Sequence, residues 1–133
     1  MTISTHPTRT DSLLRLAMRA DAVLTGVSGL VGLPLVDWLA RVSGTTPAFE
    51  KEMALFFIAY GVVVFGLSLL SSVKAPGMAV IIANVVYTIG AVALVLWGPF
   101  ALTTLGVVLT LASGVYTLAF AELQYQGWRR IKA

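Results

Sequence analysis

Residues 75–121 read APGMAVIIANVVYTIGAVALVLWGPFALTTLGVVLTLASGVYTLAFA, and between the flanking Lys74 and Glu122 nothing ionises except tyrosine. As a single helix these 47 residues would extend about 70 Å at 1.5 Å per residue, more than twice the roughly 30 Å of a bilayer's hydrocarbon core. The run must therefore cross twice. Trp97-Gly98-Pro99-Phe100 marks the fold-back, where glycine ends one helix and proline enters the first turn of the next. Two spans follow, near 78–97 and 101–121.

Upstream, residues 53–73 form another charge-free stretch, closed by the basic turn Lys74-Ala75-Pro76-Gly77. A first span near 14–36 is shorter in its apolar part, because Asp21 and Asp37 bracket it. Arg15 and Arg19 extend it by snorkelling towards headgroups, and no small-residue cleavage site follows Leu35, so it reads as a retained helix rather than a signal peptide. Between the first two spans, Ser43-Gly44-Thr45-Thr46-Pro47 reads as a stop and restart. Thr46 is the expected N-cap, Pro47 the first helical residue, and Glu50 and Glu52 sit near the positive helix end. Asp37 and Arg41, one turn apart, are expected to form an exposed pair contributing about 0.3–0.5 kcal/mol.

Composition agrees with this reading. The chain is 58% hydrophobic and 11% charged, with a mean hydropathy of +0.91, far from the soluble norm. The absence of cysteine excludes disulfides and thiol chemistry. A net charge of +3 is carried mainly at helix ends, which speaks for topology and against a nucleic-acid partner. Arg9, Arg15, Arg19, Lys74, Arg129, Arg130 and Lys132 fall on one side of the expected membrane, Arg41 and Lys51 on the other. The positive-inside rule then makes both termini cytoplasmic. Trp38 and Trp97 would mark the outer interface, Tyr125 and Trp128 the inner one. The predicted architecture is an all-α, up-down-up-down four-helix membrane bundle over residues 12–126. A flexible tail (1–11), which holds the lone histidine His6, precedes it, and a basic cytoplasmic tail (127–133) follows.

Lipid is as apolar as leucine, so faces of small and hydroxyl residues are the expected helix contacts. They run Asp21, Thr25, Ser28, Gly32 in the first span and Gly61, Phe65, Ser68, Ser72 in the second. The third offers Asn84, Thr88, Ala91 and the fourth Thr103, Gly106, Thr110, Ser113, Thr117, all at steps of three and four. Gly26, Gly29 and Gly32 suit close packing rather than a nucleotide loop, since no strand precedes them and no lysine follows at the needed place. Gly66, Gly90 and Gly114 lie off these stripes and would offer a second face to a partner. Replacing Gly114 by leucine would then release that partner without unfolding the protein.

Arg19, Asp21, Asn84, Tyr87, Tyr116, Thr117 and Glu122 concentrate polarity in the inner half of the bundle. In a functional reading Asp21 or Glu122 is a proton or cation site, with Asn84 and a tyrosine as partners. The simpler reading pairs Arg19 with Glu122 or Asp21 at the headgroup boundary and leaves Asn84 bonding a neighbouring helix. It is favoured by the nearness of both acids to a span end. Arg15, Arg19, Trp128, Arg129 and Arg130 are candidate contacts for lipid headgroups. The pattern predicts no catalytic residue, no metal ligands and no cofactor.

The stretch Leu14-Arg15-Leu16-Ala17-Met18-Arg19-Ala20-Asp21-Ala22-Val23, with Phe120-Ala121-Glu122-Leu123-Gln124-Tyr125 closing the last span, resembles a group of uncharacterised four-span bacterial membrane proteins, commonest in actinobacteria. The layout is similar to DoxX-like small membrane proteins. That resemblance implies a four-helix bundle in a bacterial cytoplasmic membrane, and it transfers no functional residue. The expected function is therefore that of a non-catalytic accessory or scaffolding subunit, or an organiser of lipid, whose partners are membrane lipid and another membrane protein or a second copy. The alternative is a small oligomeric carrier or channel for a proton-coupled solute, built on Asp21, Glu122 and Asn84.

Overall fold

The computed structural model describes residues 10–131, so His6, Arg9 and Lys132 lie outside the described residues. These residues form five α-helices, α1 (Ser12–Gly32), α2 (Val36–Ser43), α3 (Pro47–Leu67), α4 (Lys74–Trp97) and α5 (Thr104–Arg129), with a 3₁₀ turn at Leu33–Leu35 joining the first two. No strand occurs among them. Ser12–Ser43, Lys74–Trp97 and Thr104–Arg129 are long and apolar enough to cross a membrane, which marks the chain as a membrane protein. Leucines, isoleucines, valines and phenylalanines stand exposed along the long helices, the surface that lipid solvates.

Local chemistry explains most boundaries. Pro34 tightens the backbone into the 3₁₀ turn, and the helical path runs on to Ser43. Gly44 then adopts φ 81°, and its amide donates to the Ala40 carbonyl at 2.9 Å. Thr46 caps α3 by accepting from the Phe49 amide at 3.1 Å, with Pro47 at the first helical position, as predicted. The fold-back after α4 differs from the prediction. Pro99 lies outside any helix, and Thr103 caps α5 by accepting from the Gly106 amide at 3.0 Å. The Thr103 amide itself donates to the Ser43 carbonyl at 3.0 Å, so a contact distant in sequence sets where α5 begins.

α3 ends earlier than its charge-free stretch. Ser68–Ser71 form a turn, and the carbonyls freed there are held by α1. Arg15 Nη1 donates to Ser68 O at 2.8 Å and Leu70 O at 2.6 Å, and Nη2 to Ser71 O at 3.0 Å. Arg19 adds Nη2 to Ser68 O and Nε to Ser68 Oγ, both at 3.1 Å. Two planar guanidiniums thus cap a helix C-terminus, where cations are favoured by the dipole as well as by hydrogen bonding. Asp11 is buried rather than part of a loose tail, because its carboxylate holds Arg15 Nη2 at 3.0 Å. Lys74-Ala75-Pro76-Gly77, predicted to be a turn, is the first turn of α4.

Packing pairs α1 with α3 and α4 with α5, joined by α1 against α5. Glycine allows the first approach: a Cβ on Gly61 would stand 2.6 Å from Ala22 O, and one on Gly29 2.5 Å from Ala54 O. The contact stripe of α3 is Ala54, Gly61, Val64 and Ser68; Phe65 and Ser72 face outward instead. Gly114 is buried against Ala91 at the α4–α5 contact, so it is no outward docking face, whereas a Cβ at Gly66 or Gly90 meets nothing. The expected Asp37–Arg41 pair is not formed; among the described residues Asp11–Arg15 is the one ion pair. Leu14, Met18, Ala22, Val64, Val73 and Val80 make the apolar core at the end that also gathers Arg15, Arg19 and Lys74.

Candidate functional site

The centre of polarity is Asp21, nine residues or about 14 Å along α1 from its start and 0% exposed. Five donors converge on its carboxylate. Oδ2 accepts from Tyr60 Oη of α3 at 2.7 Å, from Asn84 Nδ2 of α4 at 3.0 Å and from Gln124 Nε2 of α5 at 3.1 Å. Oδ1 accepts from Thr25 Oγ1 of its own helix and from Tyr116 Oη of α5, each at 3.0 Å. Asn84 Nδ2 also reaches Gln124 Oε1 at 3.0 Å, which closes the ring of amides. Because a carboxylate only accepts, it dictates the orientation of both amides. Every long helix contributes to this one acceptor.

No positive side chain neutralises it. Arg19, expected beside Asp21 or Glu122, is engaged on Ser68, and no lysine or arginine among the described residues pairs with Asp21. Glu122 is exposed and accepts from Gln126 Nε2 at 3.1 Å, on the opposite side of α5 from Gln124. Of the seven residues predicted as an inner cluster, Asp21, Asn84 and Tyr116 meet directly. Thr117 bonds the Gly114 carbonyl and Thr88, and Tyr87 donates to Ser113 Oγ at 3.1 Å, both beside the network. Arg19 and Glu122 belong elsewhere. Tyr60, Thr25 and Gln124, which lie outside the predicted cluster, complete the site. Gln124 is within reach of sequence reasoning, since the stripe ending at Thr117, continued by four and three, lands on Ala121 and Gln124, both buried.

The headgroup candidates are likewise redistributed. Arg15 and Arg19 serve the α3 terminus, and Trp128 Nε1 donates to Lys74 O at 2.9 Å while its ring lies 4.9 Å from Lys74 Nζ. Arg129 sits over the Tyr125 ring at 5.7 Å, and Arg130 is exposed.

Against this network lies a cavity of about 310 Å³. Thr25, Tyr60, Asn84 and Tyr116 form part of its wall, so four of the five groups bound to Asp21 also face open space, while Asp21 itself stands behind them. α3 and α4 barely touch. Phe56, Ala83 and Ala112 line the cavity and are exposed, so it opens on the flank of the molecule. A second cavity, about 590 Å³, shares Ser28, Phe57, Tyr87 and Ser113 with the first and extends to Thr45 and Glu50, which are hydrogen-bonded to each other. Phe57 and Tyr87, ring centroids 6.0 Å apart, stand where the two meet.

No protein-family model, curated protein or solved structure matches this chain. Its function must be read from its own geometry. The opening of α1 and the close of α5 meet in space, for one supplies Asp21 and the other Gln124 to the same carboxylate network.

Proposed function

We propose that this chain is a four-helix carrier of the bacterial cytoplasmic membrane, with helices crossing alternately and both termini inside, which moves a small amphiphilic solute in exchange for protons at Asp21. The observation that carries this reading is a fully buried acid that no arginine or lysine among the described residues pairs with, set behind the wall of an open cavity. Ionisable groups inside membrane helices are costly and mark solute and proton paths. The second cavity, meeting the first at Phe57 and Tyr87, favours a through-route over a closed pocket. Arg15, Arg19 and Lys74 gather at one end, which supports the inside assignment of that end.

Of the three glycines on which the accessory-subunit reading drew, Gly114 is buried at a helix contact while Gly66 and Gly90 stay open, and Gly90 borders the second cavity. The carrier is therefore preferred. Its test uses proteoliposomes with an imposed pH gradient and a lumenal pH dye, challenged with a panel of charged and neutral amphiphiles. The wild-type protein should dissipate the gradient with at least one solute class, and Asp21→Asn should abolish the effect. Full activity in Asp21→Asn overturns the mechanism.

A further inference from the structure

We infer that the cavity beside Asp21 presents hydrogen-bond acceptors alone, and that its ligand is a protonated organic amine with an apolar body. The inference rests on the carrier reading only in taking this cavity as the solute site.

A hydroxyl has one proton to give and two lone pairs with which to accept. Around this cavity every hydroxyl has an acceptor inside the protein to give its proton to. Thr25, Tyr60 and Tyr116 give theirs to the Asp21 carboxylate. Ser28 donates to Leu24 O at 2.7 Å, and Thr117 to Gly114 O at 2.9 Å. Tyr87 donates to Ser113, whose own proton goes to Thr110 O at 2.7 Å. Asn84 directs its amide nitrogen to Asp21 and Gln124, so its Oδ1 is the polar atom that remains. Lone pairs are what a ligand in the cavity would meet.

Asp21 strengthens this bias in two ways. A hydroxyl that donates to an anion is polarised, and its oxygen becomes a better acceptor. The buried charge also attracts a cation across one layer of hydroxyls, and no arginine or lysine lines the cavity. The rings of Phe56, Phe57, Tyr60, Tyr87 and Tyr116 supply faces for an ammonium as well as apolar wall. A ligand that only accepts, such as a quinone, would set lone pairs against lone pairs and is disfavoured. Asp21 is thus a positioning residue, orienting the groups that touch the ligand.

Four probes with one naphthalene body separate these demands: 1-naphthylmethylamine, 1-naphthylmethanol, 1-methylnaphthalene and 1,4-naphthoquinone. Binding is measured calorimetrically to the full chain in lipid nanodiscs, with empty nanodiscs subtracted. The amine should bind at least tenfold tighter than methylnaphthalene, with the alcohol between them and the quinone weakest. Tyr60→Phe and Tyr116→Phe should each weaken the amine at least threefold and leave methylnaphthalene unchanged. Equal affinities across the series, a preferred quinone, or unchanged amine binding in both variants overturns the inference while the cavity remains a ligand site. Failure of all four probes to bind removes the cavity as a solute site and the inference with it.

Discussion

Asp21 has two oxygens and roughly four lone-pair directions for five donors, so each donor shares its acceptor with others. Removing one donor lets its neighbours tighten. Asn84→Ala and Gln124→Ala should each cost about 1–2 kcal/mol, but the double variant should cost less than their sum by at least about 0.5 kcal/mol. Reversible unfolding in mixed micelles measures all three, and strict additivity would mean that the amides act independently. Asp21, Asn84 and Tyr116 are legible in the sequence because polar residues are scarce in such apolar runs. What sequence could not rank was Glu122 against Gln124, two residues and about 200° apart on one helix. Charge draws attention to the outward residue, while the neutral amide is the one turned inward.

At the level of the helices, the contact between α1 and α3 depends on the missing side chains of Gly29 and Gly61. Gly61→Leu would drive the chain against Ala22 O and Gly26, and should destabilise the protein by about 3 kcal/mol or more through overpacking. Gly66→Leu, one turn and a fraction further on the same helix, points into open space and should be neutral within about 0.5 kcal/mol. Thermal unfolding in detergent distinguishes the two, and similar losses at both positions would remove the packing argument. Caps encoded by adjacent residues, such as Thr46-Pro47 and Gly44, are readable from the sequence alone. The end of α3 and the start of α5 are not, since arginines about 50 residues away hold the one and Ser43 anchors the other.

Taken whole, the molecule is two tight helix pairs that part between α3 and α4, and the parting is where both cavities lie. Nothing in hydropathy announces a gap, because the side chains lining it are the aromatic, hydroxyl and small residues that elsewhere fill contacts. The early end of α3 bears on the surrounding membrane as well. Its uncharged helical stretch, Met53 to Leu67, holds 15 residues, about 22 Å against a hydrocarbon core of roughly 30 Å. α4, at 24 residues, carries no such shortfall. In the four-span arrangement proposed above, the lipid beside α3 must therefore thin or the helix pair must tilt, and the protein would wear a lopsided annulus with its shallow side along α3, one of the helices that line both cavities. Reconstituted in phosphatidylcholines of increasing acyl length, the chain should be most heat-stable at about 14 carbons and lose stability steadily towards about 22. In a cell such a mismatch steers a protein towards thin, fluid regions of the membrane, and a solute dissolved there would find the cavity mouth with less hydrocarbon between it and water.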